Sequence, residues 1–157
     1  MIEPSFGIDR IIYSILEHSY FEEEAGEGKE EIEGENEKRI VLRLPPEVAP
    51  VQAAVLPLLT REELIKPANE IVKMLRSRGI LIAFDDSGTI GRRYRRNDEI
   101  GTPFSITVDY QTLEDGTVTI RDRDTMKQVR AGISDIADNI YDLIYSGKSF
   151  EDAGKKI

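Results

Sequence analysis

Two short apolar runs, residues 55–58 and 80–84, flank a stripe of Ala68, Ile71, Val72 and Leu75 at helical spacing. Short unbroken apolar runs suit buried strands, and the spacing between them suits an amphipathic helix. This strand–helix–strand order constrains the chain more than any other feature. Gly79 is placed to end the helix. Thr60 and Glu63 have capping-box spacing, but Pro67 follows soon after. Because proline is tolerated best in the first helical turn, the helix is expected to begin near Lys66, with residues 60–64 as a separate turn.

The alternation continues downstream. Asp85, Asp86, Ser87 and Gly88 make a turn, and a second helix is expected over 89–100, ended by Gly101. Phe104, Ile106, Val108 and Tyr110 alternate with polar residues as a third strand. Glu114, Asp115 and Gly116 read as a hairpin turn into a fourth strand built on Val118 and Ile120. Residues 127–133 read as strand, because Ser134 then caps a final helix carrying Ile136, Ala137, Ile140, Tyr141 and Ile144. Upstream, Ile8, Ile11, Ile12, Ile15, Leu16 and Tyr20 repeat at helical spacing, Ile40, Leu42 and Leu44 alternate as a strand, and Pro45, Pro46 and Pro50 impose an extended connector. The fold class is α/β: a mixed sheet covered by helices. The expected divisions are 1–20, then 21–52, then a compact domain over 53–157.

Charge is concentrated. Residues 22–37 hold nine glutamates against one lysine, which is −8 of the chain's formal −9. That segment has too little apolar content to pack a core and is expected to be a mobile, solvated loop whose deletion favours any anionic partner. Cysteine is absent and His18 is the sole histidine, so a disulfide framework, a transition-metal site and a histidine-dependent triad all lack support. No apolar run approaches the roughly 20 residues that span a bilayer. Residues 1–10 lack the basic start and apolar stretch of a secretory leader, and an intracellular protein is expected.

The densest chemical signal is the stretch 91–101, where Arg92, Arg93, Arg95 and Arg96 surround Tyr94 on an expected helix. Arg92 and Arg96 lie one turn apart, where like charges repel, so helix stability alone would not select them. Either an anionic partner explains them, or they form a solvated face with local pairing such as Arg95 with Glu99. A second group follows: period-two geometry puts Thr117, Thr119, Arg121 and Arg123 on one strand face, Val118 and Ile120 on the other, with Arg130 shortly after. Guanidinium groups suit phosphates and base edges, and neighbouring carboxylates such as Asp85, Asp98, Glu99 and Asp122 can accept from base amino groups. The turn Asp86-Ser87-Gly88-Thr89 loosely suggests a phosphate-binding loop, but it lacks the full glycine and Lys-Ser/Thr fingerprints.

Three segments in this order resemble glycyl-tRNA synthetases of the archaeal and eukaryotic type. Ile2-Glu3-Pro4-Ser5-Phe6-Gly7-Ile8-Asp9-Arg10 is similar to motif 3 of class II synthetases. The stretch 85–101 and the segment Arg121-Asp122-Arg123-Asp124-Thr125-Met126 are similar to the anticodon-binding domain that glycyl, histidyl, threonyl and prolyl synthetases share. The resemblance implies a five-stranded mixed sheet with three helices, plus the N-terminal helix, and a chain that is the carboxy-terminal part of such an enzyme. It implies that Gly7 and Arg10 belong to an ATP site. It also implies that Asp85, Arg92, Arg93, Arg96, Asp98, Glu99, Arg121, Asp122, Arg123 and Arg130 lie in the region facing the anticodon of glycine tRNA. ATP and Mg2+ would serve the parent ligase, a cytoplasmic homodimer, with neither expected on this chain; no metal ligands and no membrane contact are implied. Motifs 1 and 2 have no room here, so the chain alone is expected to be catalytically incomplete and to need the missing amino-terminal catalytic part. Two other readings stay open: a free-standing accessory or protein-interaction domain of the same fold, and a small nucleotide-binding α/β protein using the Ser87-Gly88 turn.

Overall fold

A computed structural model of the chain describes residues 5–23 and 38–157. Most of the acidic segment, and Ile2, Glu3 and Pro4 of the first motif, lie outside the described residues. The element order is α1 (Ile8–Ser19), β1 (Tyr20–Glu23), β2 (Arg39–Leu42), β3 (Ala53–Pro57), α2 (Glu62–Ser77), β4 (Ile82–Phe84), α3 (Ile90–Glu99), β5 (Phe104–Val108), α4 (Tyr110–Asp115), β6 (Thr117–Asp122), β7 (Gln128–Gly132), α5 (Ile136–Tyr145) and β8 (Lys155–Lys156). Single 3-10 turns precede α5 and β8.

One six-stranded sheet, ordered β4-β3-β5-β6-β7-β8, organises the chain. β3 pairs in parallel with both β4 and β5, as two helix crossovers require, and the remaining pairs are antiparallel. The expected five strands are all present, and the two-residue β8 adds a sixth at the edge. β1 and β2 form a separate antiparallel ribbon, Tyr20 opposite Leu42 and Glu23 opposite Arg39.

The two faces of the sheet differ in chemistry. On one, Ala53, Val55, Phe104, Ile106, Val108, Val118, Ile120 and Val129 meet Leu64, Ala68, Ile71, Val72 and Leu75 of α2 and Ile136, Ile140, Leu143 and Ile144 of α5. Each large aliphatic side chain buried there contributes about 1.5–3 kcal/mol. The opposite face carries Ala54, Leu56, Ser105, Thr107, Thr119 and Arg121, also buried, and lies under α3 and β2. The period-two reading of β6 therefore holds, but its polar face is an interior and not a surface.

Three expectations need correction. α2 begins at Glu62, with Pro67 inside it. The ring's missing N–H removes a bond only to the carbonyl of Glu63, in the exposed first turn. The residues expected to form a hairpin turn are the end of α4, which starts with a capping box between Asp109 and Thr112 and stops at Gly116 in the left-handed conformation. In β2 it is Val41 that is fully buried, while Ile40 is 40% exposed.

α1 lies almost entirely in the open. Ile8 and Tyr13 are about two-thirds exposed and Ser19 is its one buried residue. The ribbon holds it at the hydrogen bond from Arg43 N to Ser19 O, 2.6 Å.

Candidate nucleic-acid interface

α3 owes its position to its ends and to polar contacts. Thr89 accepts from the Arg92 N–H as N-cap. Within the helix, Arg93, Asn97 and Asp98 are buried, and Arg92, Arg96 and Glu99 are exposed. The spacing 93, 97, 98 against 92, 96, 99 is that of an ordinary amphipathic helix, but the inward stripe is polar. Tyr94 also turns inward: its hydroxyl lies 2.6 Å from Thr107 Oγ1 on β5, and burial pushes its pKa up.

Arg93 is 1% exposed. Its guanidinium donates to the carbonyls of Pro57, Asp86 (3.0 Å), Gly88 (2.7 Å) and Ser87 (3.4 Å). It thus ties the ends of β3 and β4 to the start of α3. The Ser87 N–H, which a phosphate cradle would require, already donates to Asp85 Oδ1 at 2.9 Å, and the loop's carbonyls point inward at Arg93. The Ser87-Gly88 turn is therefore a guanidinium cage and not an anion nest.

Asp98 is 2% exposed and is held from two directions. Arg121 of β6 donates to Oδ1 (2.9 Å) and Oδ2 (3.1 Å), while Arg39 of β2 donates to Oδ2 through Nε (3.0 Å) and Nη2 (2.9 Å). The Arg121 guanidinium stacks over the Tyr94 ring at 4.7 Å. Arg39 reaches Glu23 Oε2 (2.7 Å) and the Arg123 carbonyl (2.5 Å) as well. Arg123 is 2% exposed and donates to the carbonyls of Gly101 (2.8 Å) and Leu44 (3.0 Å). Gly101 has φ +85°, and a Cβ there would lie 2.8 Å from Leu44 Cδ1 and 3.1 Å from Leu42 O. Only glycine lets the ribbon's continuation close onto the end of α3.

The remaining residues expected at the site fall into two places. Asp85 and Arg96 pair at 2.6 Å on the outer side of α3. Partial burial raises the Asp85 pKa, but the Ser87 N–H and hydroxyl and the Arg96 guanidinium outweigh it, and the carboxyl sits below the usual range. Asp122 accepts from the N–H and hydroxyl of Thr125 and shapes the β6–β7 turn. Arg130 donates twice to Asp109, at 2.8 Å each, and to Thr117 and Thr119. The structure thus places Arg92, Arg96 and Glu99 on the exposed face of α3, with the half-buried Asp85 paired to Arg96 at its border. Arg93, Asp98, Arg121 and Arg123 form the scaffold beneath it, and Asp122 and Arg130 stand apart.

The sequence pattern points to Tyr94 only as part of the basic stretch and gives no sign of the buried roles of Arg39 and Asn97. Arg39 precedes the Ile40/Leu42/Leu44 alternation, and its partner Asp98 is 59 residues away, so no local pattern marks it. Gly7 and Arg10 sit together, an added Cβ on Gly7 lying 3.8 Å from Arg10 Cδ, on the exposed start of α1. His18 is exposed, and among the described residues no group of three or more His, Cys, Asp or Glu is arranged to hold a metal. No helix is long and apolar enough to cross a membrane among the described residues.

Comparison with known proteins places these features. Residues 52–143 match the family described as "Anticodon binding domain". The glycine–tRNA ligase of Methanothrix thermoacetophila is 54% identical over 157 residues, covering 100% of this chain and 26% of that protein. The glycine–tRNA ligase of Archaeoglobus fulgidus is 52% identical over 99% of this chain, and mitochondrial glycine–tRNA ligase 1 of Saccharomyces cerevisiae is 42% identical over 100% of it. The chain spans about a quarter of the length of these relatives. Among solved structures, prolyl-tRNA synthetase from Cryptosporidium parvum, complexed with halofuginone and AMPPNP, superposes with a TM-score of 0.64 at 30% identity, covering 67% of this chain and 22% of that one.

Proposed function

Starting from the fact that the chain belongs to the anticodon-binding domain family, we propose that it recognises the anticodon region of glycine tRNA as part of a glycine–tRNA ligase. The observation that carries this reading is the outer face of α3. Arg92, Arg96 and Glu99 project from a helix whose opposite side is bonded to the sheet, within the residues that match the family. Guanidinium groups there supply phosphate contacts and base stacking, and the Glu99 and Asp85 carboxylates accept from base amino groups. Glycine codons begin with two guanines, so the anticodons that read them present two cytosines, whose amino groups are such donors.

Four other anticodon candidates act from beneath, while Asp122 and Arg130 stand apart. Arg93, Asp98, Arg121 and Arg123 hold the helix and its loops where the exposed residues meet RNA. The divisions 1–20, 21–52 and 53–157 follow the same division of labour, with the last carrying recognition.

The parent ligase would use ATP and Mg2+ and act as a homodimer. Gly7 and Arg10 offer one guanidinium on an exposed helix turn, without an enclosing wall among the described residues. An ATP–Mg2+ site does not fit this chain by itself, and no adenylate-forming step is assigned to it. ATP–pyrophosphate exchange by the purified chain would overturn that assignment.

The test of recognition is binding of glycine tRNA against the same tRNA with a scrambled anticodon, at one stated salt concentration, because phosphate contacts weaken steeply with salt. The expected result is tighter binding of the native anticodon. Equal affinity would refute base readout.

A further inference from the structure

We propose that Arg39, on the ribbon outside the family-matched residues 52–143, is a positioning residue for the RNA-facing side of α3, acting through the buried carboxylate of Asp98. This inference rests on the proposed RNA contact and adds to it the part of the chain that sets its geometry.

Buried apolar surface normally fixes a helix on a sheet, but it is non-directional and tolerates slip. The buried residues of α3 are Arg93, Asn97 and Asp98. Its rotation and translation are therefore set by hydrogen bonds of defined length. Arg93 fixes the amino-terminal end, through carbonyls of the preceding loop. At the carboxy-terminal end the anchor is Asp98, and two guanidinium groups from different strands share it.

An aspartate in the last turn of a helix opposes the helix dipole, so helix stability does not account for Asp98. The two arginines do. Glu23, Arg39, Asp98 and Arg121 form a chain of alternating charge, with contacts of 2.7, 2.9 and 2.9 Å, running from β1 through β2 and α3 to β6. Its formal charge is zero, which is the condition for burying it. The Arg39 side chain is 9% exposed, and its nitrogens reach Glu23, Asp98 and the Arg123 carbonyl. Its path to RNA therefore runs through α3. Asp98 adjoins Glu99 and lies two residues from Arg96, so a shift of this carboxylate carries both outward side chains with it. Lysine cannot replace the fork, because a point ammonium cannot serve Nε and Nη2 geometry together.

The experiment measures glycine-tRNA affinity of Arg39→Gln, Asp98→Asn, the double variant and Arg39→Lys, well below each protein's unfolding temperature, with Arg92→Ala and Arg96→Ala as direct-contact controls. Amide hydrogen exchange over α3 is followed in parallel. Arg39→Gln is expected to weaken binding by about twofold to thirtyfold, the scale on which mutations along coupling networks act. The double variant should be no weaker than its weaker parent, and exchange over α3 should quicken. Arg39→Lys should fail to restore affinity while preserving charge, and it serves as the test if glutamine unfolds the chain. Wild-type affinity in Arg39→Gln, alongside loss in Arg92→Ala, would overturn the positioning role and leave the RNA face intact. Multiplying effects in the double variant would also overturn it, since Arg39 would then act independently of Asp98. If Arg92→Ala and Arg96→Ala both bind as wild type, the RNA face itself fails, and the role of Arg39 in RNA binding fails with it.

Discussion

Arg121 places both terminal guanidinium nitrogens on the two carboxylate oxygens of Asp98, at 2.9 and 3.1 Å, in a site where the aspartate is 2% exposed. Fork-to-fork geometry of this kind fixes direction as well as distance. The same carboxylate is shared with Arg39, so its removal takes the carboxylate partner from buried Arg121 and leaves Arg39 with Glu23 alone.

Asp98→Ala is therefore expected to destabilise the fold by about 3–5 kcal/mol, the cost of breaking a buried pair from one side. Urea denaturation followed by circular dichroism measures it. A loss under about 1 kcal/mol would mean that the site is wetter than its geometry implies.

Arg93→Ala removes the guanidinium donor from the carbonyls of Pro57, Asp86, Ser87 and Gly88, of which Asp86 keeps the Thr60 hydroxyl and Ser87 keeps Arg96. The expected cost is about 2 kcal/mol or more, because bonds to a charged donor are the strong ones. Arg93→Lys should recover little. Proteolysis at the 85–88 loop, compared between wild type and variants, localises the damage.

Arg92 is exposed, and its replacement by alanine should leave stability within about 0.5 kcal/mol of wild type. Its effect should appear in RNA binding, where loss of one phosphate contact reduces the slope of log affinity against log salt by about 1. An unchanged slope together with a lower affinity would assign Arg92 to a base instead.

Asp109 and Arg130 make stability depend on acid. The Arg130 guanidinium hydrogen-bonded to Asp109 holds that carboxyl below its ordinary value, partial burial opposes the shift, and the Thr112 N–H and hydroxyl reinforce it. A carboxyl depressed in the folded state contributes stability that is present above the unfolded value, about 3.9, and is lost as pH falls through the folded value. Asp109→Asn should be less stable near neutrality and should lose less of its remaining stability on acidification. Acid titrations of identical shape for the two proteins would exclude the linkage.

Gly101→Ala combines a φ of +85° with a Cβ placed 3.1 Å from the Leu42 carbonyl oxygen. The expected loss is about 1–3 kcal/mol, the scale of a single strained backbone conformation. Thermal unfolding checks it.

The strand–helix alternation made the sheet legible from Val55, Ile71, Phe84 and Ile120, because apolar periodicity reports a hydrophobic interior directly. The same rule cannot sort the faces of α3. It reads Arg92, Arg93, Arg95 and Arg96 as one basic cluster, whereas the fold turns Arg93 inward and Arg92 and Arg96 outward. The same blindness hid Arg121 and Arg123. A buried polar face has no signature in hydropathy, since what balances it is a set of partners distant in sequence. Arg39 and Asp98 are 59 residues apart. The α4 capping box leaves a local mark, the spacing of Asp109 and Thr112, but Glu114-Asp115-Gly116 has the composition of a hairpin turn as well as of a helix end.

The sheet ends in three residues at β4 and in two lysines at β8. Gly154 lets that last strand in, for a Cβ there would stand 2.4 Å from the Arg130 carbonyl oxygen. Strand edges are where proteins recruit one another into aggregates, and short or lysine-bearing edges are poor templates for it. Lys155 and Lys156 thus act as a selvedge that keeps β7, with Val129 and Ala131 behind it, from pairing with a neighbour.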